Sequence, residues 1–226
     1  MTTTLVTGAN KSLGLETTRR LIAAGHTVYA GMRDLANGEA ARESGAIPVQ
    51  LDVTDQASVD QAFAGLPELD VLINNAGIFG TSYGTDDLDV DAMLPVFDTN
   101  VHGIVRVTQA ALPLLARSSA PVIVNVTSTV GWPRALRDPE DDCFGVNAIP
   151  YAAAKAAVIA LTVQYAKNLP QMRINVSDPG YTATDFNGHS GPQTITEGTD
   201  ATVALALIGA DGPTGEFHNR LGRIEY

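Results

Sequence analysis

The chain is expected to fold as a doubly wound α/β domain, a seven-stranded parallel sheet with helices on both faces. Three observations support this. Short β-branched runs alternate with longer segments of helical periodicity from end to end. The strand candidates read as continuous apolar runs, not alternating ones, which is the pattern of strands covered on both faces. A chain of 226 residues also has the size at which one domain buries roughly 70% of its unfolded surface.

The first strand candidate, residues 4–7, runs through Thr7-Gly8-Ala9-Asn10-Lys11-Ser12-Leu13-Gly14 into a helix over 15–24. Glycine at a strand–helix turn permits a tight bend and brings a pyrophosphate close to the helix N-terminus. Strands over 27–31 and 46–51 precede helices over 35–44 and 58–66. The fourth strand, 71–74, is followed by a long helix over 92–118, and the fifth, 122–126, ends just before Ser128. A helix over 151–169, a strand over 174–177, a helix over 197–207 and a weaker strand over 215–218 complete the alternation. Right-handed crossovers make this a doubly wound sheet. With no repeat, linker or low-complexity tract, residues 1–226 are expected to form one domain. Two irregular stretches, 131–150 and 180–196, are lids or substrate loops, or else surface excursions.

Composition excludes several functions. A net charge of −11 and 17% charged residues disfavour nucleic acid and anionic membranes, whose phosphates would be repelled. The single cysteine, Cys143, cannot close an internal disulfide, which fits a reducing compartment. No basic leader and no run of ~20 apolar residues is present, so a cytoplasmic protein is expected. His26, His102, His189 and His218 lack metal-ligand spacing, and no metal is expected.

The sharpest chemical feature is Tyr151-Ala-Ala-Ala-Lys155. Residues i and i+4 share a helix face, so phenol and ammonium point the same way. A free tyrosine has a pKa near ~10, and a neighbouring cation would bring it toward the working range. Ser128 could then hold a substrate oxygen while Tyr151 gives or takes its proton.

Six motifs occur in order: Thr7-Gly8 through Gly14, Asp52-Val53, Asn74-Asn75-Ala76-Gly77, Asn100, Ser128 with Tyr151 and Lys155, and Pro179-Gly180 with Thr184. Together they resemble the short-chain dehydrogenase/reductase family across nearly the whole chain. Within it the closing Asp211-Gly-Pro-Thr-Gly-Glu-Phe is most similar to the carbonyl reductases. The resemblance implies a Rossmann fold that binds NADP(H). Its cofactor residues would be Gly8, Asn10, Lys11, Ser12, Leu13, Gly14, Arg33, Asp52, Val53, Asn75, Ala76, Gly77, Tyr151, Lys155, Pro179, Gly180, Thr182 and Thr184. Asp52 and Val53 would meet the adenine; Thr182 and Thr184 would hold the nicotinamide carboxamide and phosphate.

Arg33, after the second strand, would offer its guanidinium to a 2′-phosphate, with Lys11 as a second cation. Alternatively Asp34 accepts from a 2′-hydroxyl, unless it caps the next helix. Ser12 departs from the family, which usually has glycine there; its side chain crowds the pyrophosphate or donates to it.

The catalytic set would be Asn100, Ser128, Tyr151 and Lys155, with Lys155 lowering the tyrosine pKa and Asn100 in a water relay. The substrate would be a small aldehyde, ketone or quinone. The Ser128–Tyr151 segment is longer than usual and carries Trp132 and Phe144, either an apolar substrate wall or anchors of the loop. A catalytically idle redox sensor would have lost one of the reactive side chains, and none is lost. A ketoacyl-carrier-protein reductase would offer a basic patch, against which stand 14 basic and 25 acidic residues. Epimerase-type relatives need more chain beyond the last strand. The resemblance implies a homodimer or homotetramer pairing through the two long helices, or a monomer if the enlarged loop obstructs them.

Overall fold

The computed structural model describes residues 1–86 and 88–225. Eight strands form one sheet in the order β3-β2-β1-β4-β5-β6-β7-β8. They span Thr3–Thr7 (β1), Thr27–Met32 (β2), Ile47–Gln50 (β3), Val71–Asn74 (β4), Val122–Val126 (β5), Arg173–Ser177 (β6), Phe217–Asn219 (β7) and Gly222–Ile224 (β8). The first seven are parallel, as expected. The eighth, missed in the sequence, folds back antiparallel on β7 with Asn219 opposite Gly222. A three-residue edge strand of Gly-Arg-Ile carries no periodic signal of its own, and its exposed Arg223 suits a strand with one side open to water.

Every residue of β1, β4 and β5 is buried. Successive residues feed opposite faces: Val6, Ile73 and Val124 pack with Leu15, Leu21 and Val203, whereas Leu5, Leu72 and Ile123 pack with Val59, Phe63, Val107 and Leu115. The covering helices on the first face are α1 (Ser12–Ala23), with α2 (Glu39–Glu43) beside it, and later α7 (Ile195–Gly198) and α8 (Asp200–Ala206). The second face is covered by α3 (Gln56–Ala64), α4 (Val90–Phe97), α5 (Gly103–Leu115) and α6 (Ile149–Asn168).

The expected single helix over 92–118 is α4 and α5 joined by a π turn at Asp98–His102. Asp89 caps its start by accepting from Ala92 N at 2.6 Å. The π turn contains Asn100, and such turns widen the helix by one residue. Chain order reverses between β1 and β4, so a crevice opens beyond the C-terminal ends of these two strands. No helix among the described residues is long and apolar enough to cross a membrane.

Candidate active site

The β1–α1 turn forms one wall of this crevice. Gly8 has φ +65°, and a Cβ on Gly14 would lie 2.2 Å from the Gly8 carbonyl oxygen, so only glycine allows helix and turn to approach this closely. The N-terminus of α1 has neither a side-chain cap nor an acidic residue in its first turn. Its free N–H groups, with Lys11 alongside, suit a pyrophosphate. Leu13 points away from this space and packs against Gly198 of α7.

Ser12 sits at φ +51°, a left-handed conformation that costs a side chain roughly 1–2 kcal/mol. Ser12→Gly should therefore raise stability by about 0.5–1 kcal/mol, net of the flexibility that glycine adds to the unfolded chain. A thermal melt checks this, and a lower melting temperature would show that the serine hydroxyl outweighs the strain.

Asn75 serves as an internal clamp. Its amide donates to the carbonyls of Thr7 (2.8 Å) and Gly8 (3.2 Å), while Asn75 N and Ala76 N donate to the Thr7 hydroxyl. This ties the ends of β1 and β4 together. Val53 is buried against Gly103. Asp52 spends one oxygen on Thr54 N and Oγ1.

At the end of β2, Asp34 accepts from Ala36 N (2.9 Å) and Asn37 Nδ2 (3.2 Å), capping the next turn. Both carboxylate oxygens are thus engaged. Arg33 is exposed and pairs with no carboxylate among the described residues. Lys11 instead reaches across the crevice to Asp185 at 2.9 Å. Asn10 is half-buried beside it.

The segment after β6 forms the opposite wall. Gly180, at φ +65°, turns the chain after Pro179. Thr182 is buried and donates to the Pro179 carbonyl at 2.8 Å, and Thr184 is buried beside it.

Ser128, Tyr151 and Lys155 meet at the base of the crevice. Ser128 follows β5; its hydroxyl accepts from Val130 N at 3.3 Å and hydrogen-bonds the Tyr151 phenol. Both Tyr151 (9% exposed) and Lys155 (5%) project from α6. The Lys155 ammonium donates to Val126 O at 2.9 Å and lies 5.4 Å from the Tyr151 ring centroid. Gly77 is next to it: a Cβ there would be 3.7 Å from Lys155 Nζ and 3.3 Å from Asn100 Oδ1. The Asn100 side chain pairs with both backbone groups of Ile78 at 2.8 Å, holding the β4–α4 loop against the π turn.

The electrostatics differ from the expectation that Lys155 pulls the phenol down. Tyr151 is pushed above its ordinary pKa, first by burial and second by the Asp178 carboxylate, while the Ser128 hydrogen bond opposes both. Burial lowers Lys155 to about 8, against the attraction of Asp178. The tyrosine is therefore neutral, the form that can donate a proton.

Several contributors were not legible locally. Phe79 stacks on the Tyr151 ring at 4.8 Å, and Phe186 meets both rings at 5.6 Å. These two aromatics, one from each wall, cover the phenol face. Trp132 packs with Ile159, Val176 and Phe217 and carries Arg134 over its ring, so it anchors the loop. Phe144 is 54% exposed. Burial and Asp141 push the Cys143 thiol up to about 12, which makes it unreactive at neutral pH.

The family model described as short chain dehydrogenase matches residues 2–194. A (−)-isopiperitenone reductase from Mentha piperita is 31% identical, with 96% of this chain and 95% of that protein covered. Its alignment runs over 299 positions, so it carries insertions that this chain lacks. A (+)-neomenthol dehydrogenase from Capsicum annuum is 30% identical, with 96% and 95% covered. Among solved structures, an NADPH-bound carbonyl reductase from chicken fatty liver superposes with a TM-score of 0.86 at 27% identity, covering 99% of this chain and 98% of that one.

Proposed function

Since the chain belongs to the short-chain dehydrogenase family of oxidoreductases, we propose that it is an NADPH-dependent reductase of aldehydes, ketones or quinones. The observation that carries this reading is the neutral Tyr151, hydrogen-bonded to Ser128 and backed by Lys155, at the open end of the sheet beside the glycine turn.

The residues present fit the cofactor. The uncapped N-terminus of α1 and the close Gly8–Gly14 approach suit the pyrophosphate. Arg33, exposed and unpaired with any described carboxylate, suits the 2′-phosphate, whereas Asp34 is committed to its cap. When bound, NADPH would supply a hydride to the carbonyl carbon.

The protein's own groups then handle the oxygen. Ser128 donates to it and fixes its position. Tyr151 gives it the phenolic proton as the charge develops. Lys155 stabilises the resulting phenolate and passes a proton from the side of Gly77 and Asn100. Asn100 itself acts mainly through position, because its side chain is held by Ile78. Phe79 and Phe186 give the entrance an apolar, flat lining, which favours uncharged carbonyls over carboxylates or phosphates.

Fluorescence titration with NADPH and NADH, followed by turnover of a carbonyl panel, tests this reading. Arg33→Ala should raise KM for NADPH about 10–100-fold, the loss of charged hydrogen bonds worth about 1.5–3 kcal/mol. KM for NADH should stay within about threefold. An equal change for both cofactors would remove Arg33 from the site, and failure of the native protein to bind either would overturn the reading.

A further inference from the structure

Four aromatic rings meet over the proton donor at the mouth of the crevice. Phe79 lies face-on to Tyr151, with centroids 4.8 Å apart and planes 27° off parallel. Phe186 stands at 83° to Phe79 and 56° to Tyr151, at 5.6 Å from each. Tyr83 extends the row beyond Phe79 at 5.5 Å. Of the two phenylalanines, Phe79 is the fixed one, because the Asn100 side chain pins both backbone groups of the preceding Ile78. Phe186 is 45% exposed and rides on the short turn Asp185–Asn187. Asn187 bonds to Thr182 O and Thr184 N, which keeps that turn's own shape and lets it move as a unit. Lys11 at 2.9 Å and His189 at 3.0 Å hold it through the Asp185 carboxylate. These pairs are exposed, and such pairs restrain a segment only weakly.

We propose that Phe79 and Phe186 are a fixed and a movable jaw that seat a planar ring beside Tyr151, so that carbonyls borne on an aromatic ring are the preferred substrates. This deepens the reductase reading above and rests on it. A ring held between two others needs them about 7–8 Å apart, twice the contact distance of about 3.5–4 Å. Phe186 stands 5.6 Å from Phe79, so its turn needs to retreat by only about 2 Å while the ring rotates to face Phe79. The entering ring then replaces one edge contact with two face contacts. Aromatic pairs gain free energy beyond the area they bury. A saturated ring of the same size buries similar area without that gain, so the jaws select for a flat π surface and not for bulk. Seated beside the Tyr151 ring, the substrate presents its attached carbonyl on the side of the phenol hydroxyl.

Acetophenone and cyclohexyl methyl ketone test this, since they match in carbon count and differ in the flatness of the ring. Phe186→Leu keeps an apolar side chain and loses the π face. It should lower kcat/KM for acetophenone about 3–10-fold, the range of one aromatic pair, and leave cyclohexyl methyl ketone within about twofold. Comparing each variant with the native protein cancels the intrinsic reactivity of the two ketones. Phe186→Tyr keeps the ring and should retain the native ratio. Titration with a naphthol, followed by its own fluorescence, reads the seat without turnover, and Phe186→Leu should weaken that binding by a similar factor. An unmoved ratio or an equal loss for both ketones would overturn the inference and leave the reductase reading standing. So would reduction of other carbonyls but not of acetophenone. If no carbonyl is reduced and naphthol binding depends on Phe186, the ring seat stands and the reductase reading falls. If naphthol binding is absent as well, both fall.

Discussion

Tyr151→Phe is expected to lower kcat for carbonyl reduction by about 10²–10⁴-fold, the range that a positioned general acid contributes. NADPH affinity should stay within about threefold. The substitution removes one oxygen and leaves the ring, which still stacks on Phe79 and meets Phe186. The hydroxyl lost is the one hydrogen-bonded to Ser128 and kept neutral by burial. Steady-state kinetics with a binding titration separate the two effects. Turnover near the native rate would exclude Tyr151 as the proton donor, while loss of cofactor binding would show that the phenol is needed for assembly of the site.

Gly131→Ala is expected to cost about 3 kcal/mol of stability and to lower the melting temperature by roughly 6–12 °C. A Cβ at Gly131 would lie 2.5 Å from the Lys155 carbonyl carbon and 2.6 Å from Ala156 N. Both are backbone atoms of α6 and cannot swing aside. The turn at Thr129–Gly131 must then retreat from α6. That turn follows Ser128 and includes Thr129, which holds Asp178. The neighbouring Thr127 hydroxyl donates to the Lys155 carbonyl at 3.0 Å and would be pulled away with it. A displacement of about 1 Å between reacting groups costs roughly 10²-fold in rate, so kcat should fall alongside stability. An unchanged melting curve would show that the turn can yield without loss.

Much of the fold is written in short windows. Leu5-Val6, Leu72-Ile73 and Ile123-Val124 each put neighbouring residues on opposite faces of the sheet, and a continuous apolar run is how such a strand must read. The glycine turn is legible for a similar reason: Gly8 and Gly14 answer a local geometric demand that few other residues can meet. Tyr151 and Lys155 are legible because helical spacing alone puts them on one face. β8 and the π turn are not, since one depends on an edge supplied by β7 and the other on a register shift within a pattern that stays helical.

Several functional details were decided by residues far apart in sequence. Asn75, expected beside the cofactor, also clamps the fold, because its amide meets Thr7 and Gly8 across 67 or more positions. Asp34 had two open roles, and in the structure it makes the capping contacts, to Ala36 and Asn37. Lys11 finds Asp185, 174 residues away, across the crevice.

The amino-acid sequence by itself determined the alternation of strands and helices, the glycine turn and the chemical identity of the Ser128, Tyr151 and Lys155 set, because periodicity, steric freedom and side-chain chemistry are local properties. The protonation state of that set was decided only by the tertiary structure. Burial acts through space, and no window of sequence states how deeply a given phenol or ammonium is buried.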